Sequence, residues 1–231
     1  MDLDRFRTQP LLGILRGIRP DDVPPLVDAV CASGLGALEI TMNTAGAPDL
    51  SRSLIAAARG RLMVGAGTVL DAATLEAALG AGATFVVSPT LVPEVVERCA
   101  ILGIPVFPGA LSPQEILTAW RAGATMVKIF PAGVLGPGYL REIKGPFRDI
   151  ELMAVGGVNA ENMGAFFGAG AAAVAFGASV FRSDWLAARQ YARIADEVRR
   201  LVDACRAAIG SQAESVRRGP TRGGADAAGP V

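Results

Sequence analysis

Lys128 and Glu39 are the two side chains whose type and setting point most directly to covalent chemistry. Only Lys128 and Lys144 occur in the whole sequence, and every other basic residue is arginine, so a lysine inside an apolar run needs its own explanation. Lys128 lies in TMVKIF, where the two-residue alternation of a strand puts Met126, Lys128 and Phe130 on one face. Apolar surroundings disfavour the ammonium form and leave a neutral amine that can attack a ketone. The bland alternative is a lysine that snorkels from a strand end into water. Glu39 sits in ALEIT with Leu38 and Ile40 on the opposite face. A carboxylate turned toward an interior is costly unless it is paired or works as an acid–base group, so a structural ion pair with Arg16 or Lys128 is the competing reading. Arg16 ends LLGILR and offers a planar fork suited to a carboxylate such as that of an α-keto acid.

Other chemistries are closed off by composition. The sequence has no histidine, which removes Ser-His-Asp triads, HExxH zinc sites and imidazole acid–base catalysis. A divalent metal could then be held only by oxygen ligands. Cys31, Cys99 and Cys205 are odd in number, widely spaced and lack a CxxC pattern, as expected of reduced thiols in the cytoplasm. Lys+Arg and Asp+Glu both number 22, so no charge imbalance points to nucleic acid or an anionic membrane. No apolar run reaches membrane-spanning length, and MDLDRFRTQP lacks the apolar stretch of a signal peptide.

These residues need a frame that brings them together. A helix-like stretch ending in Gly, then a short apolar strand, then a Gly/Pro/Ser turn recurs along the chain. The strands read as LLGILRG, SGLGALEI, RLMVGAGT, GAGATFVVSP, LGIPVFPG, RAGATMVKIFP, IELMAVGG and GAGAAAVAFGAS. They are spaced roughly 19–28 residues apart, the repeat of a βα unit. Helix starts are signalled by Asp21-Asp22, Asp71, Ser112-Pro113 and Asn159, and Ser183-Asp184 precede one long amphipathic helix, WLAARQYARIADEVRRLVDACRAAI. DLDRFRT reads as a short helix closing the barrel's lower end. The expectation is an α/β fold, a single-domain (β/α)8 TIM barrel over residues 1–209, followed by a disordered tail, 210–231, rich in Gly, Pro and Ala. A doubly wound sheet would call for a glycine-rich turn followed by an acidic ribose ligand, and neither is evident.

In such a barrel, chemistry gathers at the carboxyl ends of the strands. There the sequence delivers Arg16, Glu39 with Thr41 and Asn43, Gly67-Thr68, Ser88-Pro89, Pro108-Gly109, Lys128 with Phe130, Gly156-Gly157, and Gly177 with Ser179. The last two turns fall where barrels bind phosphate through backbone N–H groups, although either could be a plain tight junction.

Taken together, GILRGI, ALEITMNT, VGAGTV, FVVSP, PVFPG, VKIFPA, AVGGV and FGAS resemble the 2-keto-3-deoxy-6-phosphogluconate aldolase family, with its phosphogalactonate and 4-hydroxy-2-oxoglutarate branches, from about Leu11 to Phe181. The resemblance implies a class I lyase that needs no metal or other cofactor and forms a covalent lysine imine. Lys128 would carry the imine and Glu39 would be the general acid/base. Arg16 and Thr68 would hold the pyruvate carboxylate, and Pro89 and Phe130 would line the pyruvate pocket. Val155 stands where phosphogluconate-type members often have Thr, and Gly156, Gly157, Gly177 and Ser179 would bind the distal phosphate. Asn43 and Val155 resemble the phosphogalactonate branch, which carries its substrate arginine where Arg16 stands, whereas Thr41 and KGPF resemble the gluconate branch, so both C4 epimers stay open. A homotrimer is implied by the same analogy. The readings left beside it are a phosphosugar isomerase or epimerase using Glu39 as base, and a non-catalytic sugar-phosphate-binding barrel.

Overall fold

Each short apolar run becomes a parallel strand whose side chains point alternately into the barrel and out toward the helices. The computed structural model describes residues 1–218. In chain order the strands are β1 (Leu11–Leu15), β2 (Ala37–Thr41), β3 (Met63–Gly67), β4 (Val86–Val87), β5 (Val106–Phe107), β6 (Gly109–Ala110), β7 (Val127–Ile129), β8 (Leu152–Val155) and β9 (Ala173–Phe176). All pairings are parallel, in the order β5-β4-β3-β2-β1-β9-β8-β7-β6. The two outermost strands are consecutive in the chain, split only by Pro108, which has no N–H to give to a ladder. Its carbonyl still accepts from Lys128 N at 2.9 Å. The sheet therefore closes on itself, and the expected (β/α)8 barrel has its fifth strand in two pieces.

The inward faces form one core, including Leu12, Met63, Phe85, Phe107, Met126 and Met153, all at most 8% exposed. Glycine on β3 makes this packing possible. A Cβ on Gly65 would lie 2.4 Å from the Phe85 ring, so even alanine there would displace the ring or the strand. From below, α1 (Leu3–Thr8) closes the barrel as expected, with fully buried Phe6 stacked on Phe107 at 6.2 Å between centroids. The outward faces, among them Leu38, Ile40, Val127 and Ile129, pack against the helices, which include α3 (Ala47–Ala58) and α5 (Pro93–Leu102).

Helix starts follow their signals unevenly. Asp71 caps α4 (Ala72–Gly80) by accepting from Thr74 N at 2.7 Å, and Ser112 with Glu115 forms a capping box on α6 (Pro113–Arg121). Asp22 precedes α2 (Val23–Ala32) but makes no cap; its carboxylate is used elsewhere. Asn159 folds an Asx turn onto the N–H groups of Glu161 and Asn162, so α8 (Met163–Gly168) begins later than expected.

Two expectations at the C-terminal end are corrected. The single long helix is two, α9 (Ser183–Ala187) and α10 (Tyr191–Arg218), with Arg189 in the left-handed region (φ 52°) between them. That break lets both Arg189 and Tyr191 reach Asp22. The boundary at Gly210 also fails as a helix end. A side chain there would meet nothing within 4 Å, the Gln, Ala, Glu and Arg beyond it are good helix formers, and α10 continues to Arg218. The rest of the expected disordered segment, 219–231, lies outside the described residues.

Candidate active site

The carboxyl ends of the strands open into a cavity of about 1030 Å³, lined by every residue to which the family resemblance gives a site role. Lys128, Glu39, Arg16, Thr68, Pro89, Phe130, Val155, Gly156, Gly157, Gly177 and Ser179 come together from seven different strand ends. Thr41 joins them, whereas Asn43, Ser88, Pro108 and Gly109 do not line the cavity. Ser88 is buried and donates to Thr90 O at 2.7 Å, which shapes the turn carrying Pro89. A Cβ on Gly109 would lie 2.1 Å from the Pro89 carbonyl oxygen, so this glycine admits the same turn from the other side.

Lys128 projects inward from β7 and is 7% exposed. Its Nζ lies 5.1 Å from the centroid of the Phe130 ring. Burial lowers its pKa from the ordinary lysine value; the Glu39 charge opposes that shift and the Arg16 charge adds to it. Lys144 has a structural role instead: its ammonium donates to the carbonyls of Arg148 and Ile150 at the end of α7 (Ala132–Lys144).

Glu39 is 1% exposed, and its buried Oε2 has no hydrogen-bond partner. A structural ion pair would have satisfied that oxygen, so the geometry disfavours the bland reading of Glu39. Burial raises its pKa to about 7, with the Lys128 and Arg16 charges pulling the other way. Room for the carboxylate comes from the next strand, since a Cβ on Gly67 would stand 2.1 Å from Glu39 Oε1. Thr68 follows in the left-handed region (φ 58°), a strained conformation for a β-branched residue and one that tends to occur at functional positions.

Arg16 is exposed to the cavity and, among the described residues, forms no ion pair. The turn that carries it is held by Thr44, whose hydroxyl accepts from Gly17 N at 3.2 Å and lies 3.1 Å from the Thr41 hydroxyl. Nothing in the sequence marks Thr44 for this task.

The glycine turns have the backbone form that an anion site needs. Gly156 and Gly157 both have positive φ, 89° and 77°, which a side chain would resist. Gly133 packs behind them, donating to Gly156 O at 2.7 Å, and a Cβ on it would fall 2.8 Å from that oxygen. Asn162 Nδ2 holds Gly157 O at 2.8 Å. Among the described residues, the N–H groups of Gly157, Val158, Ala178 and Ser179 donate to no protein acceptor. The arrangement could therefore bind an anion through backbone dipoles. Sequence reading missed Gly133, and also Arg19, Arg182 and Asp184, which line the same cavity.

The described residues hold no cluster of three or more His, Cys, Asp or Glu able to bind a metal. None of their helices is long and apolar enough to cross a membrane.

Comparison with known proteins agrees with this geometry. The family described as KDPG and KHG aldolase matches residues 3–197. A 2-dehydro-3-deoxy-6-phosphogalactonate aldolase of Escherichia coli (strain K12) is 35% identical over 201 residues, covering 87% of this chain and 96% of the relative. A 2-dehydro-3-deoxy-phosphogluconate aldolase of Pseudomonas aeruginosa is 42% identical over 154 residues, 66% of this chain and 70% of that one. Among solved structures, one described as native KDPGal superposes with a TM-score of 0.81 at 34% identity, covering 87% of this chain and 96% of the other. A KDPG aldolase from Legionella pneumophila, with pyruvate captured as a covalent carbinolamine, superposes at 0.76 with 26% identity, covering 88% and 95%. On the extent of these matches, the chain belongs to the KDPG and KHG aldolase family.

Proposed function

We propose that this enzyme is a class I lyase that cleaves a 2-keto-3-deoxy-6-phospho sugar acid, of the gluconate or the galactonate series, to pyruvate and glyceraldehyde 3-phosphate. The observation that carries the reading is a buried lysine and a buried, unpartnered glutamate facing one cavity. An isomerase would need the glutamate but no buried lysine, and a binding barrel would need neither.

The Lys128 amine attacks the substrate C2 carbonyl, and loss of water from the carbinolamine gives a protonated imine. That imine is the electron sink. The C4 hydroxyl loses its proton, the C3–C4 pair moves toward C2, and the aldehyde departs to leave an enamine on Lys128. Protonation at C3 and hydrolysis of the imine then release pyruvate and the free amine. Glu39 serves as the acid–base group through water, and a pKa near 7 lets it both give and take protons at neutral pH. Arg16 and Thr68 hold the carboxylate end, Pro89 and Phe130 flank the pyruvate carbons, and Val155 borders them. Gly156, Gly157, Gly177 and Ser179 take the distal phosphate. No metal or organic cofactor enters the scheme, because the imine does the electrophilic work.

The C4 preference leans to the galactonate series, on Val155 and Arg16. A 4-hydroxy-2-oxoglutarate activity yielding pyruvate and glyoxylate is the second reading, since it would use the same lysine and glutamate without the phosphate turns. The protein acts as a homotrimer in the cytoplasm, in keeping with its family and its three free cysteines.

Incubation with pyruvate and borohydride tests the scheme. The protein should gain the mass of reduced pyruvate, with the adduct on Lys128, and Lys128→Ala should fold but trap nothing. An adduct on Lys144, or trapping by the variant, would overturn the assignment.

A further inference from the structure

The cavity rim carries two arginines that the scheme above leaves unused. Arg19 follows β1 and Arg182 follows β9, and β1 and β9 are neighbours in the sheet, so both flank the turn at Gly177–Ser179. Each is held along one edge by a carboxylate. Arg19 donates from Nε to Asp22 Oδ2 at 2.8 Å and from Nη2 to Oδ1 at 3.4 Å. Arg182 donates from Nε and Nη2 to Asp184, both at 3.0 Å. Nη1 of each guanidinium has no partner among the described residues.

The two clamps differ in depth. Asp184 is exposed and neutralises Arg182 one for one, in a pair that solvent screens. Asp22 is 2% exposed and also takes Arg189 Nε at 3.3 Å and the Tyr191 hydroxyl at 2.6 Å. One buried carboxylate thus faces two guanidiniums, and the nearby Asp21 charge acts on Arg19 only through space, with no hydrogen bond to it. Arg19 is fixed in place before any ligand arrives, so little side-chain freedom remains to be lost on binding.

We propose that Arg19, held by Asp22, is a specificity-determining residue that recognises the distal dianion of the substrate and favours phosphorylated keto-deoxy acids over unphosphorylated ones. This rests on the aldolase reading of the cavity. The backbone turns supply neutral donors that fit the phosphate, and Arg19 adds the charge by which a dianion is told from a hydroxyl. Asp22 and Tyr191 are positioning residues: they set the guanidinium and do not touch the ligand.

The experiment compares kcat/KM for 2-keto-3-deoxy-6-phosphogalactonate or its gluconate epimer with that for the unphosphorylated acid, in the wild type and in Arg19→Gln. The ratio should fall about tenfold in the variant, through KM for the phosphorylated substrate with kcat little changed. Arg19→Lys, which keeps the charge and loses the fork, should recover part of the ratio. Raising the salt concentration should lower the wild-type ratio more than the variant's. In parallel, borohydride trapping of pyruvate by the wild type tests the aldolase reading alone. Absence of that trapping would sink the underlying scheme. Normal trapping with an unchanged ratio in Arg19→Gln, or an equal loss on both substrates, would overturn the role of Arg19.

Discussion

A buried, unpartnered carboxylate should make the wild-type enzyme less stable than its Glu39→Gln variant at neutral pH, and the difference should disappear in acid. Burial raises the Glu39 pKa from 4.5 to about 7, the attraction of Lys128 and Arg16 already included. In that interval the folded state binds more protons than the unfolded state, so stability falls as the pH rises. Each pH unit is worth about 1.4 kcal/mol, which puts the penalty at about 3 kcal/mol once Glu39 is ionised. Glutamine stays neutral and escapes it. Lys128 acts with the opposite sign and higher up: its folded pKa lies below 10.5, so stability grows as the pH climbs from that value toward 10.5. Urea unfolding of both proteins across the acid-to-neutral range is the assay. At an m-value of about 2 kcal/mol/M, the variant's midpoint should exceed the wild type's by about 1.5 M just above neutrality. The two midpoints should converge near the ordinary glutamate pKa. The same variant should lose about 10²–10⁴-fold in turnover, so activity and stability move in opposite directions. Parallel stability curves, or a wild type that gains on the variant as the pH rises, would show that Glu39 is ionised and paired, and the acid–base assignment would fail with it.

Three more outcomes are expected. Activity should survive exhaustive dialysis against EDTA, and a loss restored by Mg²⁺ or Zn²⁺ would refute the imine route. A 6-phosphorylated substrate should be cleaved far more efficiently than its unphosphorylated analogue, with the advantage shrinking in Gly157→Val and less severely in Ser179→Ala; equal efficiency in the wild type would reduce the two turns to packing junctions. Gly67→Ala should fold yet lose turnover by roughly 10²-fold or more, because its Cβ claims the space of Glu39 Oε1, 2.1 Å away, and a 1 Å displacement costs about that much. Retained activity there would mean that β3 shifts readily enough to spare the carboxylate.

The strands were legible because burial on both faces leaves short apolar runs closed by Gly and Pro, and the lysine because it is so rare in this chain. Alternation alone placed Lys128 and Phe130 on the cavity face and turned Leu38 and Ile40 outward. Interactions between distant parts of the chain left no such trace. Asp22 precedes a helix and so reads as its cap, yet its partners include Arg189 and Tyr191 from the far end of the chain. The same contacts break the last helix, where the apolar periodicity runs on through Arg189 without interruption. Gly67 and Gly133 are ordinary glycines until strand register and turn packing show which atoms they make way for. Helix propensity carries the last helix beyond Gly210, although a glycine-rich, polar composition suggests a tail.

Among the described residues, the barrel is filled and closed at its lower end and opens at its upper one. Below the reacting pair, Phe6, Phe85, Phe107, Met126 and Met153 fill the interior, and Phe6 stops the lower end. Substrate, both products and every water molecule of the cycle must therefore share the upper mouth. An aldehyde sitting above the enamine would lie across the route by which hydrolytic water reaches C2. Its departure would then gate the second half of the cycle, with the aldehyde the first product out and pyruvate the second. An aldehyde that lingers would find the enamine still intact and be joined back to it, so the traffic at one opening sets how readily the enzyme runs toward carbon–carbon bond formation.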